Sequence, residues 1–186
     1  MKPHPHKAKM DALFPAIREY EALAKAHGIS DIFQDNGGKL LQLILTLGLT
    51  VVPGRQGADA QDASGREYEL KSVNIERTSS FSTNHHLNPG ILADYRSVGW
   101  IFAIYRGIEL STIYRMEPEQ LEPLFARWEA QWHGSGGRDI NNPKIPLSFV
   151  ADNGELIHGI RPQIGLRARS VVPPTTDLDD PFKADE

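Results

Sequence analysis

Three ionisable residues, Asp59, Glu69 and Lys71, fall within GADAQDASGREYELKSVN, a stretch from Gly57 to Asn74 that reads as a tight β-hairpin. Asp62 and Arg66 flank a three-residue loop, Ala63, Ser64 and Gly65. Glycine in the third place accepts the left-handed conformation such loops require. Pairing residues symmetrically about Ser64 sets Asp62 against Arg66, Ala60 against Tyr68, and Asp59 against Glu69. Side chains directly opposite share a face, with Cβ atoms about 5 Å apart. Lys71 projects from that face too, whereas Tyr68, Leu70 and Ser72 lie on the other and can bury. Two carboxylates so placed cannot both stay ionised cheaply without a cation between them. Mg2+ suits the place, because it is held by one or two carboxylates with waters and substrate phosphate completing its octahedron. The backbone carbonyl of Leu70 offers a further oxygen. Lys71 is redundant for holding a metal, but beside a phosphate it can orient or help deprotonate an attacking water and offset developing charge. These roles together describe hydrolysis of a phosphodiester. The plainer alternative is a solvated strand face carrying a surface ion pair worth under about 1 kcal/mol. With 12 Glu and 8 Lys in 186 residues, a Glu-x-Lys triplet arises by chance about half a time, so the triplet alone does not decide.

Two loops carry side chains able to tell base pairs apart. In INNP, Asn141 and Asn142 are adjacent amides, and an amide can bond both groups on the edge of adenine. In FSTNHHLNP, Ser82, His85 and His86 could donate to guanine acceptors or to phosphate. The alternatives are turn chemistry for an Asn before Pro, and a solvated pair or a zinc site for the histidines. Zinc is the weaker of these, since no Cys and no carboxylate stands at ligand spacing. His4 and His6 lie in an end segment and take no role.

The elements that must position these residues can be read from periodicity. Leu13, Phe14, Ile17, Tyr20 and Ala24 recur at helical spacing between Asp11, a candidate N-cap, and His27, with Gly28 as the stop, which predicts a surface helix with one buried stripe. A second helix follows QDNGG through KLLQLILTL and is apolar over most of its circumference, so it must pack on two sides. TVVP reads as a strand and GRQG as a turn. ILADYRSV has a short helical pattern, and WIFAIYRG is an unbroken apolar run typical of a strand covered on both faces. IELSTIYRM alternates and should pair with it. EPEQLEPLFARWEAQW returns to helical spacing after an acidic first turn, and GSGGRDINNPKIP is a loop. From about Gly159 the chain loses periodicity and gains Pro, which predicts a flexible tail over 159–186.

Composition is compatible with this picture without selecting it. The length suits a single domain with a real core. The absence of Cys removes disulfides and thiolate metal sites and fits a reducing cytosol. The N-terminus MKPHPHKAKM lacks a following apolar run of the signal-peptide type, and LLQLILTLGLTVV is too short to span a bilayer, so a soluble cytoplasmic protein with no membrane association is expected. The net charge of −4 argues at first sight against nucleic acid. Five acids and one Lys sit in the last ten residues, however, so residues 1–176 carry 19 basic and 19 acidic side chains. A neutral body can hold a local basic groove.

DIFQDNGGKLLQ, GLTVVPGR, REYELKS, NPGILADYR, WIFAIYRG and DINNPKIP resemble, in order and spacing, segments of the PvuII-type restriction endonucleases. The likeness runs from about Asp11 to His158. It implies the PD-(D/E)xK nuclease fold, an α/β (α+β) architecture with a mixed central sheet flanked by helices. It further implies one endonuclease domain over 1–158, with a helical dimerisation part over about 1–48 and a catalytic and DNA-reading part over about 49–158. By this resemblance Asp59 and Glu69 are metal ligands, Lys71 is the catalytic lysine and Tyr95 stands near the scissile phosphate. His85, His86, Asn141 and Asn142 read bases, Ser82 supports them and Asp35 lies near the minor groove. The implied enzyme is a homodimer using one or two Mg2+ ions per site, cutting double-stranded DNA at CAGCTG to blunt ends, and paired with a protecting methyltransferase. Two departures stand out: Asn84 replaces the first of three consecutive His, and Gln56 replaces a Glu close to the metal centre. Readings from other classes are a DNA-binding protein on this fold that no longer cleaves, against which the intact Asp59, Glu69 and Lys71 speak, and a nuclease that recognises DNA structure, against which the reading residues speak.

Overall fold

The computed structural model describes residues 4, 6–53 and 58–163. Two helices, α1 (Lys7–Ala26) and α2 (Gly37–Leu47), precede the strands β1 (Thr50–Val51), β2 (Ala60–Gln61), β3 (Glu67–Asn74) and β4 (Ser80–Phe81). Helix α3 (Pro89–Ser97) leads into β5 (Gly99–Arg106) and β6 (Glu109–Met116), followed by α4 (Pro118–Gly134), β7 (Ile145–Pro146), α5 (Leu147–Asn153) and β8 (Glu155–Gly159). The central sheet runs β1-β2-β3-β5-β6-β8, with β4 and β7 as a separate pair. Only the β3–β5 pairing is parallel, with α3 in the connection between them. This is the mixed, helix-flanked sheet that the sequence implies.

WIFAIYRG behaves as its unbroken apolar character predicts. Every residue of β5 except Arg106 is buried, and alternation divides its side chains between two cores. Trp100, Phe102 and Ile104 pack with Leu92 and Tyr95 of α3, Phe125 of α4 and Val150 of α5. Ile101, Ala103 and Tyr105 pack on the opposite face with Ala24, Leu41 and Ile44 of the two N-terminal helices. Helix α3 is fixed at both ends. Asn88 caps it by accepting hydrogen bonds from the amides of Gly90 and Ile91 (3.0 and 3.2 Å), and the Trp100 indole donates to the carbonyl of Tyr95 (3.0 Å). Arg96 grips α4 through Glu122 and Glu129, each at 2.9 Å.

Several expectations need correction. Helix α1 begins at Lys7, so Asp11 lies inside it and pairs with Lys7 instead of capping the start. Gly28 does stop the helix, in a left-handed conformation. The apolar stripe of α1 is not buried within the chain: Leu13 and Phe14 remain 56% and 37% exposed, and only Ala24 is fully covered. GRQG, including Gln56, lies outside the described residues, as do residues 164–186 of the expected tail. Pro146 and Ile145 form β7 against β4 within what reads as a loop. Residues 147–159 add a short helix and an edge strand that the sequence pattern leaves unmarked, because α5 spans only two turns and β8 is mostly exposed. Gly159 pairs with Thr112, and the Thr112 hydroxyl donates to the carbonyl of Ile160 (2.8 Å).

The DNGG turn ahead of α2 is set by close approach. A Cβ on Gly37 would lie 2.0 Å from the carbonyl oxygen of Asp31, so no other residue fits without moving backbone. Gly37→Ala is expected to lower stability by about 1–3 kcal/mol in urea denaturation with an unchanged m-value. An unaltered midpoint would show that the turn is free to relax.

Candidate active site

The hairpin loop closes as its length dictates. Gly65 takes φ +84°, and the Asp62 carboxylate gathers the Ser64 hydroxyl (2.6 Å), the Ser64 and Arg66 amides (2.8 and 3.1 Å) and the Tyr68 phenol (3.0 Å). The Ser64 hydroxyl is the largest influence holding the Asp62 carboxyl down to about 2. Pairing of Gln61 with Glu67 and of Ala60 with Tyr68 follows the register counted from Ser64.

At Asp59 the register slips. Its amide donates to the carbonyl of Tyr68 (3.0 Å) instead of continuing the ladder, and its carboxylate accepts the amide of Leu70 (2.8 Å). Within a strand residue the N–H and C=O point the same way, so the Leu70 carbonyl also faces this unpaired edge. Glu69 is 8% exposed, on the face of β3 shared with Val73, and its carboxylate forms an ion pair with Lys71. Ser72, expected to bury on the opposite face, is exposed. The Lys71 Nζ lies 5.8 Å from the centre of the Tyr95 ring and 5.9 Å from that of Trp100.

Burial raises the Glu69 carboxyl above the usual range; Lys71 pulls it back and the charge of Asp59 pushes it further up. The Tyr95 phenol is pushed far above its ordinary value, mainly by burial and then by the charges of Glu69 and Asp59. Tyr95 is therefore a neutral donor at any ordinary pH, not a base. Two carboxylates and an edge carbonyl offer hard oxygen ligands, and a buried carboxylate under like-charge pressure is eased by a divalent cation. That donor set fits Mg2+. Among the described residues no group of three or more His, Cys, Asp or Glu gathers as a zinc site would require.

Asp59, Glu69 and Lys71 open on a cleft of about 680 Å³ that also receives Tyr95 and Asp94 from α3, and Thr83, Asn84 and His86 from the loop that precedes it. Asp59 and Lys71 border a second groove of about 350 Å³ as well, shared with Asp35 and Asn36. Asp35 and Asn36 both have positive φ, 46° and 62°, a conformation uncommon outside glycine.

The two loops singled out by residue type join into one ribbon. Leu87 and Ile140 exchange backbone hydrogen bonds, and the Asn142 amide donates to the carbonyl of Asn84 (2.9 Å). His85 Nδ1 is 2.9 Å from Asn141 Oδ1, and His86 Nδ1 is 3.8 Å from the Asp139 carboxylate. Ser82, His85, His86 and Asn141 are exposed. Asn142 differs from its neighbour: it is half-buried at φ +49°, and its Oδ1 accepts the amide of Thr83 (2.9 Å). Turn chemistry and an orienting bond thus meet in one side chain. Lys144, overlooked in the sequence, donates to Ser82 Oγ (2.8 Å) and places a cation beside the exposed residues of the ribbon. Thr83, a buried polar residue, is equally unmarked by pattern.

The family described as restriction endonuclease PvuII matches residues 5–158. The matched stretch contains the N-terminal helices, the hairpin with Asp59, Glu69 and Lys71, and both strands of the exposed ribbon. The chain belongs to the PvuII family of type II restriction endonucleases, nucleases that act on DNA.

Proposed function

We propose that this endonuclease is a Mg2+-dependent homodimer that cuts CAGCTG between its central G and C, leaving blunt ends. The observation that carries this reading is the single cleft onto which Asp59, Glu69, Lys71 and Tyr95 open together with the 83–86 end of the exposed ribbon. Asp59, Glu69 and the Leu70 carbonyl would hold Mg2+, one or two ions per site, the count depending on Gln56. When bound, the ion supplies Lewis-acid stabilisation of the phosphodiester oxygens. Lys71, steadied by Glu69, orients or helps to deprotonate the attacking water and offsets charge as the phosphodiester is hydrolysed. The protonated Tyr95 donates a hydrogen bond beside the scissile phosphate. Ser82, His85, His86, Asn141 and Asn142 enter the major groove, where such side chains separate base pairs by paired hydrogen bonds. Asp35, on the second groove, lies toward the minor groove.

A palindrome asks for a two-fold symmetric protein, each subunit reading one half and cutting one strand. The exposed Leu13, Phe14 and Leu23 of α1, with Phe33 and Leu45, support an interface on the N-terminal helical part, about residues 1–48, apart from the catalytic part over about 49–158. The proposed enzyme works in the cytoplasm and is paired with a protecting methyltransferase; among the described residues no helix is long and apolar enough to cross a membrane.

Digestion of a plasmid of known sequence in Mg2+, with the fragment ends sequenced, tests the reading. Blunt ends at CAGCTG are expected from the wild type, and Lys71→Ala should slow cutting by at least about 100-fold. Cutting at scattered sites, or an active Lys71→Ala variant, would refute it. For the interface, replacing Leu13 and Phe14 by Ser should shift the sedimenting species from dimer toward monomer and leave the far-ultraviolet circular dichroism unchanged. A dimer of wild-type affinity would place the contact elsewhere.

A further inference from the structure

The ribbon that carries the reading residues has an inner side, and one residue there joins it to the catalytic cleft. Thr83 is 8% exposed. Its amide donates to Asn142 Oδ1 (2.9 Å), and its hydroxyl donates to the carbonyl of Pro143 (2.5 Å). The next residue takes the following link, with the Asn142 amide on the carbonyl of Asn84 (2.9 Å). The Asn84 Oδ1 accepts the amide of His86 (2.7 Å). Thr83 and Asn84 border the same cleft as Glu69, Lys71 and Tyr95, and the backbone of Asn84 faces the Tyr95 phenol.

We propose that Thr83 is a positioning residue that couples base reading by Asn142 to cleavage, clasping the Asn142 carboxamide and the 142–143 backbone on one side while forming part of the catalytic cleft on the other. The proposal rests on the reading role assigned to Asn142 above. An amide whose oxygen is already held by a backbone N–H loses less freedom when it meets a base, and its NH2 group and second oxygen lone pair stay available. A wrong base pair that displaces Asn142 pulls on Thr83 and therefore on the segment of the cleft next to Tyr95. Discrimination then appears in the cleavage step as well as in binding. The Thr83 hydroxyl is the selective part of the clasp, since Pro143 has no N–H through which the two loops could otherwise pair.

Thr83→Val keeps the shape and removes the donor; Thr83→Ser keeps the donor. The preferred hexamer is first determined on the wild-type enzyme. Cleavage at saturating duplex is then measured for that hexamer and for duplexes altered at one base pair, and binding is measured in a Lys71→Ala background so that no cutting intervenes. Thr83→Val should bind the preferred duplex within about twofold of its parent yet cut it about tenfold more slowly, with little change at altered sites, so discrimination falls about tenfold. Thr83→Ser should recover the wild-type ratio. Unchanged rate and ratio in Thr83→Val would overturn the coupling. So would a loss spread equally over binding, cleavage and melting temperature, which is the pattern of a residue that only holds the fold. If Thr83→Val proves too unstable to purify, Thr83→Ala is judged by the same ratio. A wild type without a preferred sequence would defeat the reading role itself, and that failure is visible before any substitution is made.

Discussion

A carboxylate held almost entirely out of water, with a second carboxylate close by, is the constraint on which the rest of the site depends. Glu69 lies on β3, between β2 and β5 in the sheet, and is 8% exposed on the face it shares with Val73 of the core. Lys71 offsets part of the cost, but a buried ion pair seldom repays its desolvation. What remains is an electrostatic deficit, which the proposed divalent cation would make good. The place proposed for that cation follows from β2 being only two residues long. Had its ladder continued, the amide and carbonyl of Leu70 would be spent on a neighbouring strand. Instead the amide meets the Asp59 carboxylate, and the carbonyl is left facing the edge.

The reading loops obey the same logic at a different scale. Neither 82–87 nor 139–144 has enough regular structure to hold a geometry alone. Joined by the Leu87–Ile140 bridge, the Thr83–Asn142 clasp and the short β4–β7 ladder, they become a ribbon backed by the core residues Phe81, Leu87 and Ile145. Rigid presentation of exposed side chains is what discrimination between base pairs requires, because a mobile side chain adapts to the wrong base nearly as well as to the right one. Helix α3 links this ribbon to the hairpin: Asn88 at its start ends the 82–88 loop, and Tyr95 near its end reaches the cleft lined by Asp59, Glu69 and Lys71.

How much of this was legible varied with the physics of each element. The hairpin register could be counted because loop length and Gly65 leave one solution, and β5 stood out because six consecutive apolar residues, Trp100 to Tyr105, call for cover on both faces. The slip at Asp59 could not be seen, since a bulge there is decided by where the ladder ends, not by residue type. The stripe on α1 was read as apolar and buried, in a core or a subunit interface; within the chain it stays largely exposed, because periodicity reports that a face needs a partner without saying which molecule supplies it. Asn141 and Asn142 are alike in sequence, yet positive φ turns the second inward onto Thr83. The short α5 and the exposed β8 carry too few periodic positions to register. The proposed catalytic set rests on spacing and residue chemistry together with the family resemblance, whereas Thr83 and Lys144 emerged only once the loops were seen side by side.

The electrostatic deficit at Glu69 can be measured without any cleavage, by following thermal unfolding of wild type and Glu69→Gln with and without Mg2+. Mg2+ at about 100 times its dissociation constant should raise the wild-type melting temperature by about 5–10 °C and leave Glu69→Gln within about 1 °C of its metal-free value. Equal stabilisation of both proteins by Mg2+, or none of the wild type, would contradict the assignment of this buried carboxylate as the seat of the metal.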